Sequence, residues 1–338
     1  MNLKQATTDH RKISIAPMMD WTDRHCRYFM RLLSPSCMLY TEMVTAAAID
    51  RGDVAKLLRY DESEHPIALQ LGGNDPAMMT QAAHRAEEFG YDEININIGC
   101  PSDRVISGQF GACLMRTPDI VAACYRSMRD AVDVPVTIKN RIGIDDHDSY
   151  EFLENFVETL SAAGCSKFVV HARIAILGGM SPKDNRSVPP LNYERVLRLK
   201  REHPELEIVL NGGVQDIEQI DELLQQIDGV MIGRQAYHHP YFLMEIEHHF
   251  RPEWPMPDRQ TIVERMLPYI EEQLAEGERL SRITRHMLGL FAGQPGARAW
   301  RRHLSENDHK DGAGVEVILD ALKTMPVAAQ AAIARTAG

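Results

Sequence analysis

The chain has 338 residues, 44% of them hydrophobic and 25% charged, which is ordinary for a globular protein and enough for one large domain plus a smaller one. No apolar run reaches the roughly 18 residues that span a bilayer, and the polar start MNLKQATTDHRK has no signal-peptide core, so a cytoplasmic protein with no membrane partner is expected. The net charge of −11 argues by itself against a nucleic-acid partner, although binding depends on local patches and not on the sum.

Short apolar runs recur in chain order. They begin at Ile13 (ISIAPMM), Met38 (MLYTEM), Pro66 (PIALQLGG), Glu93 (EININIGCP), Pro135 (PVTIKNRIG), Lys167 (KFVVHAR), Glu207 (EIVLNGGV) and Gly229 (GVMIGRQA), and each reads as a strand. Helical patterns separate most of them. One begins at Pro76 and stops at Gly90; the next has Thr117 as N-cap and Pro118 at its first position; a third ends at Gly164, a C-cap glycine. The segments NYERVLRLKREHP and DIEQIDELLQQI complete the later units. This alternation predicts an α/β fold, a (β/α)8 barrel. An open doubly wound sheet would want a Gly-x-Gly-x-x-Gly first turn, which is absent. After Arg251 the stretch RPEWPMPDR reads as a linker, and from Thr261 only helical patterns follow. The expected organisation is a barrel over residues 1–250, a linker over 251–258 and a small all-helical domain over 259–338.

In such a barrel the chemistry sits where strands end. The ends carry Ala16-Pro17-Met18, Glu42, Gln70, Asn97 with Cys100, Lys139 with Arg141, His171 with Arg173, Asn211-Gly212-Gly213 and Gly233-Arg234. Any one polar strand end is unremarkable, but eight together point to a ligand. Gly212, Gly213 and Gly233 lack a Cβ and let backbone N–H groups approach an anion, Arg234 adds a fork of donors, and the last two strand ends are the usual phosphate site of this fold. Gln70 can donate and accept toward the edge of a heteroaromatic ring. Lys139 would place a cation beside that ring, suited to negative charge on a reduced flavin.

The six cysteines form no Cys-x-x-Cys pair and are expected as free thiols. Cys26, Cys113, Cys124 and Cys165 read as small buried hydrophobes. Cys100 differs, standing at the tip of a strand between Gly99 and Pro101, where a thiol can donate a proton or, as a thiolate, attack. No metal site is expected. His238-His239 and His248-His249 are adjacent pairs that cannot both face one ion, and His-Glu-x-x-His is absent. The tail from Arg279 to Lys310 holds seven Lys or Arg, and Arg282, Arg285, Arg298, Arg301 and Arg302 could line one face with Trp300 among them.

The segments APMMDWTD, QLGGNDP, NINIGCPSDRVISGQFGACLM, TIKNRIGID, VVHARIAILGGMSPKDNR, LNGGV and MIGRQAY, in this order, resemble the A-type bacterial branch of the tRNA-dihydrouridine synthase family over nearly the whole chain. The resemblance implies an FMN enzyme that uses NADPH to reduce the C5=C6 bond of a uridine in the tRNA D-loop, at positions 20 and 20a. It implies FMN contacts from Ala16, Pro17, Met18, Gln70, Lys139, His171, Asn211, Gly212, Gly213, Gly233 and Arg234. Cys100 becomes the general acid toward C5, Asn97 and Arg173 contact the uracil, and Lys183 and Arg186 contact RNA. The helical domain, with Arg298, Arg301 and Arg302, grips the tRNA, and the target base is unstacked to enter the barrel. No protein partner is implied. Two rival readings are an FMN barrel acting on a free pyrimidine, which leaves the basic tail unexplained, and an RNA-binding protein without activity.

Overall fold

The structure, a computed structural model, describes residues 12–325. Its strands are β1 (Ile13–Ile15), β2 (Leu39–Thr45), β3 (Ile67–Gly72), β4 (Glu93–Ile98), β5 (Val136–Arg141), β6 (Lys167–His171), β7 (Glu207–Asn211) and β8 (Gly229–Ile232). They pair in parallel in the order β1-β8-β7-β6-β5-β4-β3-β2. The ring closes beside β1, where Ile15 N–H donates to the Met38 carbonyl (2.9 Å) and Met38 N–H donates to the Ile13 carbonyl (3.0 Å). The (β/α)8 expectation is therefore met, strand for strand.

Period-two alternation explains both faces of the sheet. In β4 the side chains of Ile94, Ile96 and Ile98 are buried on one face, while Glu93, Asn95 and Asn97 hydrogen-bond with residues of neighbouring strands on the other. The barrel interior has an apolar part, built from Ala16, Met38, Tyr40, Ala68, Val169, Val209 and Met231. Along β3, β4 and β5 it is instead polar, with Gln70, Glu93, Asn95 and Thr137 all buried.

The helices begin and end largely as their sequences dictate. Asp75 caps Pro76–Glu88 through a bond from Met78 N–H to its carboxylate (2.8 Å). Gly164 follows the helix Tyr150–Ala162 with φ +104°, the left-handed conformation that glycine adopts at no steric cost. Thr117 does occupy the N-cap position of Pro118–Arg129, but its side chain makes no capping bond.

The described chain divides into two compact units. One holds the residues up to Thr22 and Ser36–Gly233. The other holds Asp23–Pro35 and everything described from Arg234 onward. The helix Arg24–Leu33 joins the second unit through polar contacts at its start. The Asp23 carboxylate takes Arg285 Nη2 at 2.5 Å and His286 Nε2 at 3.0 Å, and His25 Nδ1 lies 2.8 Å from the Tyr269 hydroxyl. Burial would raise the Asp23 carboxyl, but His286 and Arg285 hold it far below the usual carboxylate range. Burial, with the charge of Arg24, pushes His25 down to about 4, so it is neutral near pH 7.

One expectation fails in this unit. Trp300 does not share the arginine face; it is fully buried, with Nε1 donating to the Met287 carbonyl (3.2 Å) and its ring 4.8 Å from that of Phe291. The helix Ala297–Asn307 places Trp300 and Leu304, four residues apart, on its buried side, and leaves Arg298, Arg301 and Arg302 exposed. Trp300→Ala should cost about 3–5 kcal/mol. Urea unfolding followed in the second unit should show a lower midpoint, and an unchanged midpoint would contradict this packing. Among the described residues no helix is long and apolar enough to cross a membrane.

Candidate active site

The thiol of Cys100 lies two residues beyond β4, on a turn held from several directions. Asn97 Oδ1 accepts both Gly99 N–H (3.1 Å) and Cys100 N–H (2.9 Å). The Cys100 carbonyl accepts Ala112 N–H (3.0 Å), and the Gly99 carbonyl accepts Arg141 Nε (3.1 Å). A Cβ at Gly111 would lie 2.7 Å from the Cys100 carbonyl oxygen, and φ there is +71°, so this close approach requires glycine. The Cys100 thiol itself points to Ser102 Oγ at 3.5 Å and is half-buried. Cys26, Cys124 and Cys165 are buried as expected, and burial pushes Cys124 up to about 11 and Cys165 up to about 12, whereas Cys113, expected to be buried, is half-buried like Cys100.

Two cations flank this turn. Lys139, on β5 beside Asn97, donates from Nζ to Asn211 Oδ1 (3.0 Å), and Asn211 Nδ2 donates to the Met231 carbonyl (2.8 Å). Burial, together with the positive charge of Arg141, lowers Lys139 to about 7, with Cys100 opposing the shift. Arg141 is buried and donates to three carbonyls, those of Gly99, Ile174 and Asn185. Burial lowers it to about 10. Neither cation is bonded to a carboxylate among the described residues. Buried positive charge without an acid is costly unless an anion completes the site.

The glycine-rich ends of β7 and β8 fit such an anion. Gly212 and Gly213 have φ of +119° and +75°. A Cβ at Gly212 would come 2.7 Å from His171 Cδ2, so the imidazole rests on the bare glycine. A Cβ at Gly233 would meet only Ala16 Cβ at 3.6 Å and Met18 Sδ at 3.7 Å, so the end of β8 faces the residues that follow β1. Pro17 stands between those two residues, and Arg234 opens the next helix directly after Gly233. The donor set suits FMN: backbone N–H groups and glycines for a phosphate, and Lys139 for a ring that becomes anionic. Gln70 is more engaged than a ring-edge role requires, since its amide bonds both Asn95 and Asn97 at 2.8 Å.

The loop after β6 carries the remaining expected contacts. Arg173 is turned into this loop, donating to the Pro189 carbonyl, and is buried. Lys183 is exposed and Arg186 half-buried. Between them lies Asn185, which the sequence reading missed. It is fully buried; its Oδ1 accepts Ile176 N–H (2.7 Å), its Nδ2 donates to the Ile176 carbonyl (2.9 Å), and its own carbonyl accepts Arg141. Asparagine amid the polar string SPKDNRS gives no signal of burial. In the second unit, Arg298, Arg301 and Arg302 share one exposed helix face and have no ion pair among the described residues, whereas Arg282 and Arg285 are paired with Glu278 and Asp23.

Comparison with known proteins follows the same outline. The family model described as Dihydrouridine synthase (Dus) matches residues 14–330. A Vibrio cholerae protein named tRNA-dihydrouridine(20/20a) synthase is 56% identical over 319 residues, covering 93% of this chain and 97% of its own. A protein of the same name from Shewanella oneidensis is 55% identical over 320 residues, covering 94% and 95%. One from Escherichia coli K12 is 56% identical over 314 residues, covering 92% and 91%.

Proposed function

Because the chain belongs to the dihydrouridine synthase family, we propose that it reduces uridine to 5,6-dihydrouridine in the tRNA D-loop, at positions 20 and 20a, with FMN as cofactor and NADPH as reductant. The observation that carries this reading is the Cys100 thiol, fixed on a braced turn beside two buried cations that bond no carboxylate among the described residues. Bound FMN supplies the chemistry of hydride transfer from NADPH to uracil C6. The residues proposed to hold it are Ala16, Pro17, Met18, Gln70, Lys139, His171, Asn211, Gly212, Gly213, Gly233 and Arg234.

The rest is the work of this chain's own groups. As hydride reaches C6, negative charge develops toward C5 and O4, and Cys100 donates its Sγ proton to C5. Arg141 and Lys139 both interact electrostatically with the sulfur that gives up this proton. Asn97 and Arg173 are proposed at the uracil, Lys183 and Arg186 at the RNA backbone, and Arg298, Arg301 and Arg302 at tRNA phosphates.

Incubation with NADPH and tRNA lacking dihydrouridine, followed by nucleoside mass spectrometry, tests the reaction. A gain of two hydrogens on a D-loop uridine is expected. No gain with flavin-loaded protein would turn the assignment to a free pyrimidine.

Lys139 gives a pH prediction. Unfolded, a lysine keeps its proton to about pH 10.4; folded, Lys139 releases it near 7. Between these values the unfolded chain binds more protons, so stability of the FMN-free protein rises with pH across that window. Binding of anionic FMN should restore the proton. At pH 8, calorimetry in buffers of different ionisation enthalpy should show proton uptake approaching one per FMN, and Lys139→Met should abolish it. Equal uptake in the variant would remove Lys139 from the FMN contacts.

A further inference from the structure

We propose that a buried hydrogen-bond chain, Glu93–Thr137–Asn95–Gln70–Asn97, runs up the polar side of the barrel interior and positions the Cys100 turn, with Thr137 as the link that sets its direction. This deepens the reading of Cys100 as the acid and of Gln70 as a cofactor contact, and rests on it only for the kinetic consequence.

The geometry is continuous. Glu93 lies at the first position of β4, with its carboxylate taking Lys167 Nζ at 3.1 Å and the Tyr40 hydroxyl at 2.6 Å. The Thr137 hydroxyl donates to Glu93 Oε1 (2.7 Å). Asn95 Nδ2 donates to Thr137 Oγ1 (2.9 Å), Gln70 Nε2 to Asn95 Oδ1 (2.8 Å), and Asn97 Nδ2 to Gln70 Oε1 (2.8 Å). Asn97 Oδ1 then receives the N–H groups of Gly99 and Cys100. Glu93, Thr137, Asn95 and Gln70 are at most 4% exposed, so water does not compete for these bonds.

Direction is the point of the arrangement. An amide can sit in either of two flipped orientations of nearly equal shape, and only its partners choose between them. A carboxylate paired with lysine accepts and does not donate, so the Thr137 hydrogen is committed to it. The hydroxyl must then accept from Asn95 Nδ2, which turns Asn95 Oδ1 toward Gln70. Gln70 in turn presents Oε1 to Asn97, and Asn97 presents Oδ1 to the turn. If Asn97 were flipped, its NH2 would oppose two N–H donors and the turn would lose both bonds. The carboxylate at the base of the strands and the two backbone N–H groups at the turn thus select the same orientation of the three amides between them. In a dry interior such bonded groups reinforce one another.

The decisive variants are Thr137→Val, which keeps the shape and removes the hydroxyl, and Thr137→Ser, which restores it. Hydrogen exchange at Gly99 and Cys100 is read by mass spectrometry on the FMN-loaded protein, with the helix Ala297–Asn307 as internal control. Thr137→Val should speed exchange at the turn about tenfold, the scale of one lost hydrogen bond, with the control helix unchanged and Thr137→Ser close to wild type. Single-turnover reduction of tRNA uridine should slow by a similar factor in Thr137→Val alone, and by more than reduction of the flavin by NADPH. Unchanged exchange at Gly99 and Cys100 overturns the chain. Equal acceleration in the control helix, or in Thr137→Ser, also overturns it, because the threonine would then serve only general stability. Cys100→Ala is run alongside: wild-type turnover in that variant, with the exchange result intact, would keep the positioning chain and remove the acid assignment.

Discussion

Cys100→Ala is expected to slow reduction of tRNA uridine by about 10²–10⁴-fold, the range that a positioned general acid supplies. The effect should fall on one half of the catalytic cycle. Oxidation of NADPH by the flavin needs no proton at uracil C5, so its rate should stay at the wild-type value. Stopped-flow absorbance separates the two halves. Cys100→Ser sharpens the test: a hydroxyl fits the same space and can bond Ser102, but it is a far weaker acid than a thiol, so it should lie close to alanine. The substitution should not loosen the turn, because Asn97, Ala112 and Arg141 all bond its backbone or that of Gly99. Loss in both half-reactions would indicate a disturbed flavin site. Wild-type rates with alanine would remove the thiol from the chemistry.

The strands were legible because eight β-forming runs alternate with helical patterns, and each observed strand begins at the named run or within one residue of it. The turn carrying Cys100 was legible for the same reason, since a thiol between Gly and Pro at a strand tip is poorly explained by packing. What lay hidden depends on contacts distant in sequence. The alternation in EININI shows Glu93, Asn95 and Asn97 on one face, yet only the register of β3, β4 and β5 reveals that Gln70 and Thr137 meet them there. Asn185 is hidden because local composition reads as an exposed loop, while its burial follows from Arg141 reaching across from β5. Trp300 misled because neighbours in sequence point in different directions around a helix, so Trp300 turns inward while Arg301 beside it stays exposed. The assignment of Arg24–Leu33 to the second unit could not be read either, since its partners, Tyr269, Glu278 and His286, lie more than two hundred residues later.

The second large effect is expected at the arginine face. Replacing Arg298, Arg301 and Arg302 together by serine should lower the slope of log affinity against log salt by about 2–3, because each lost phosphate contact removes roughly 0.7–0.9. Affinity for tRNA at low salt should fall by an order of magnitude or more on the same reasoning, and the chemistry of bound substrate should be spared. The three are the right choice because they are exposed and unpaired among the described residues, so no internal partner must be abandoned to reach a phosphate. Arg285 is the matched control. It is also exposed, but it donates to the Asp23 carboxylate, and its removal leaves Asp23 with fewer partners. Arg285→Met should therefore reduce thermal stability of the second unit and leave the salt slope within one unit of wild type. Filter binding over a salt series, with a melting curve for each variant, distinguishes the two kinds of arginine. A wild-type slope in the triple variant would move the tRNA contact away from this face, and the cations of the loop after β6, Lys183 and Arg186, would be the next to replace.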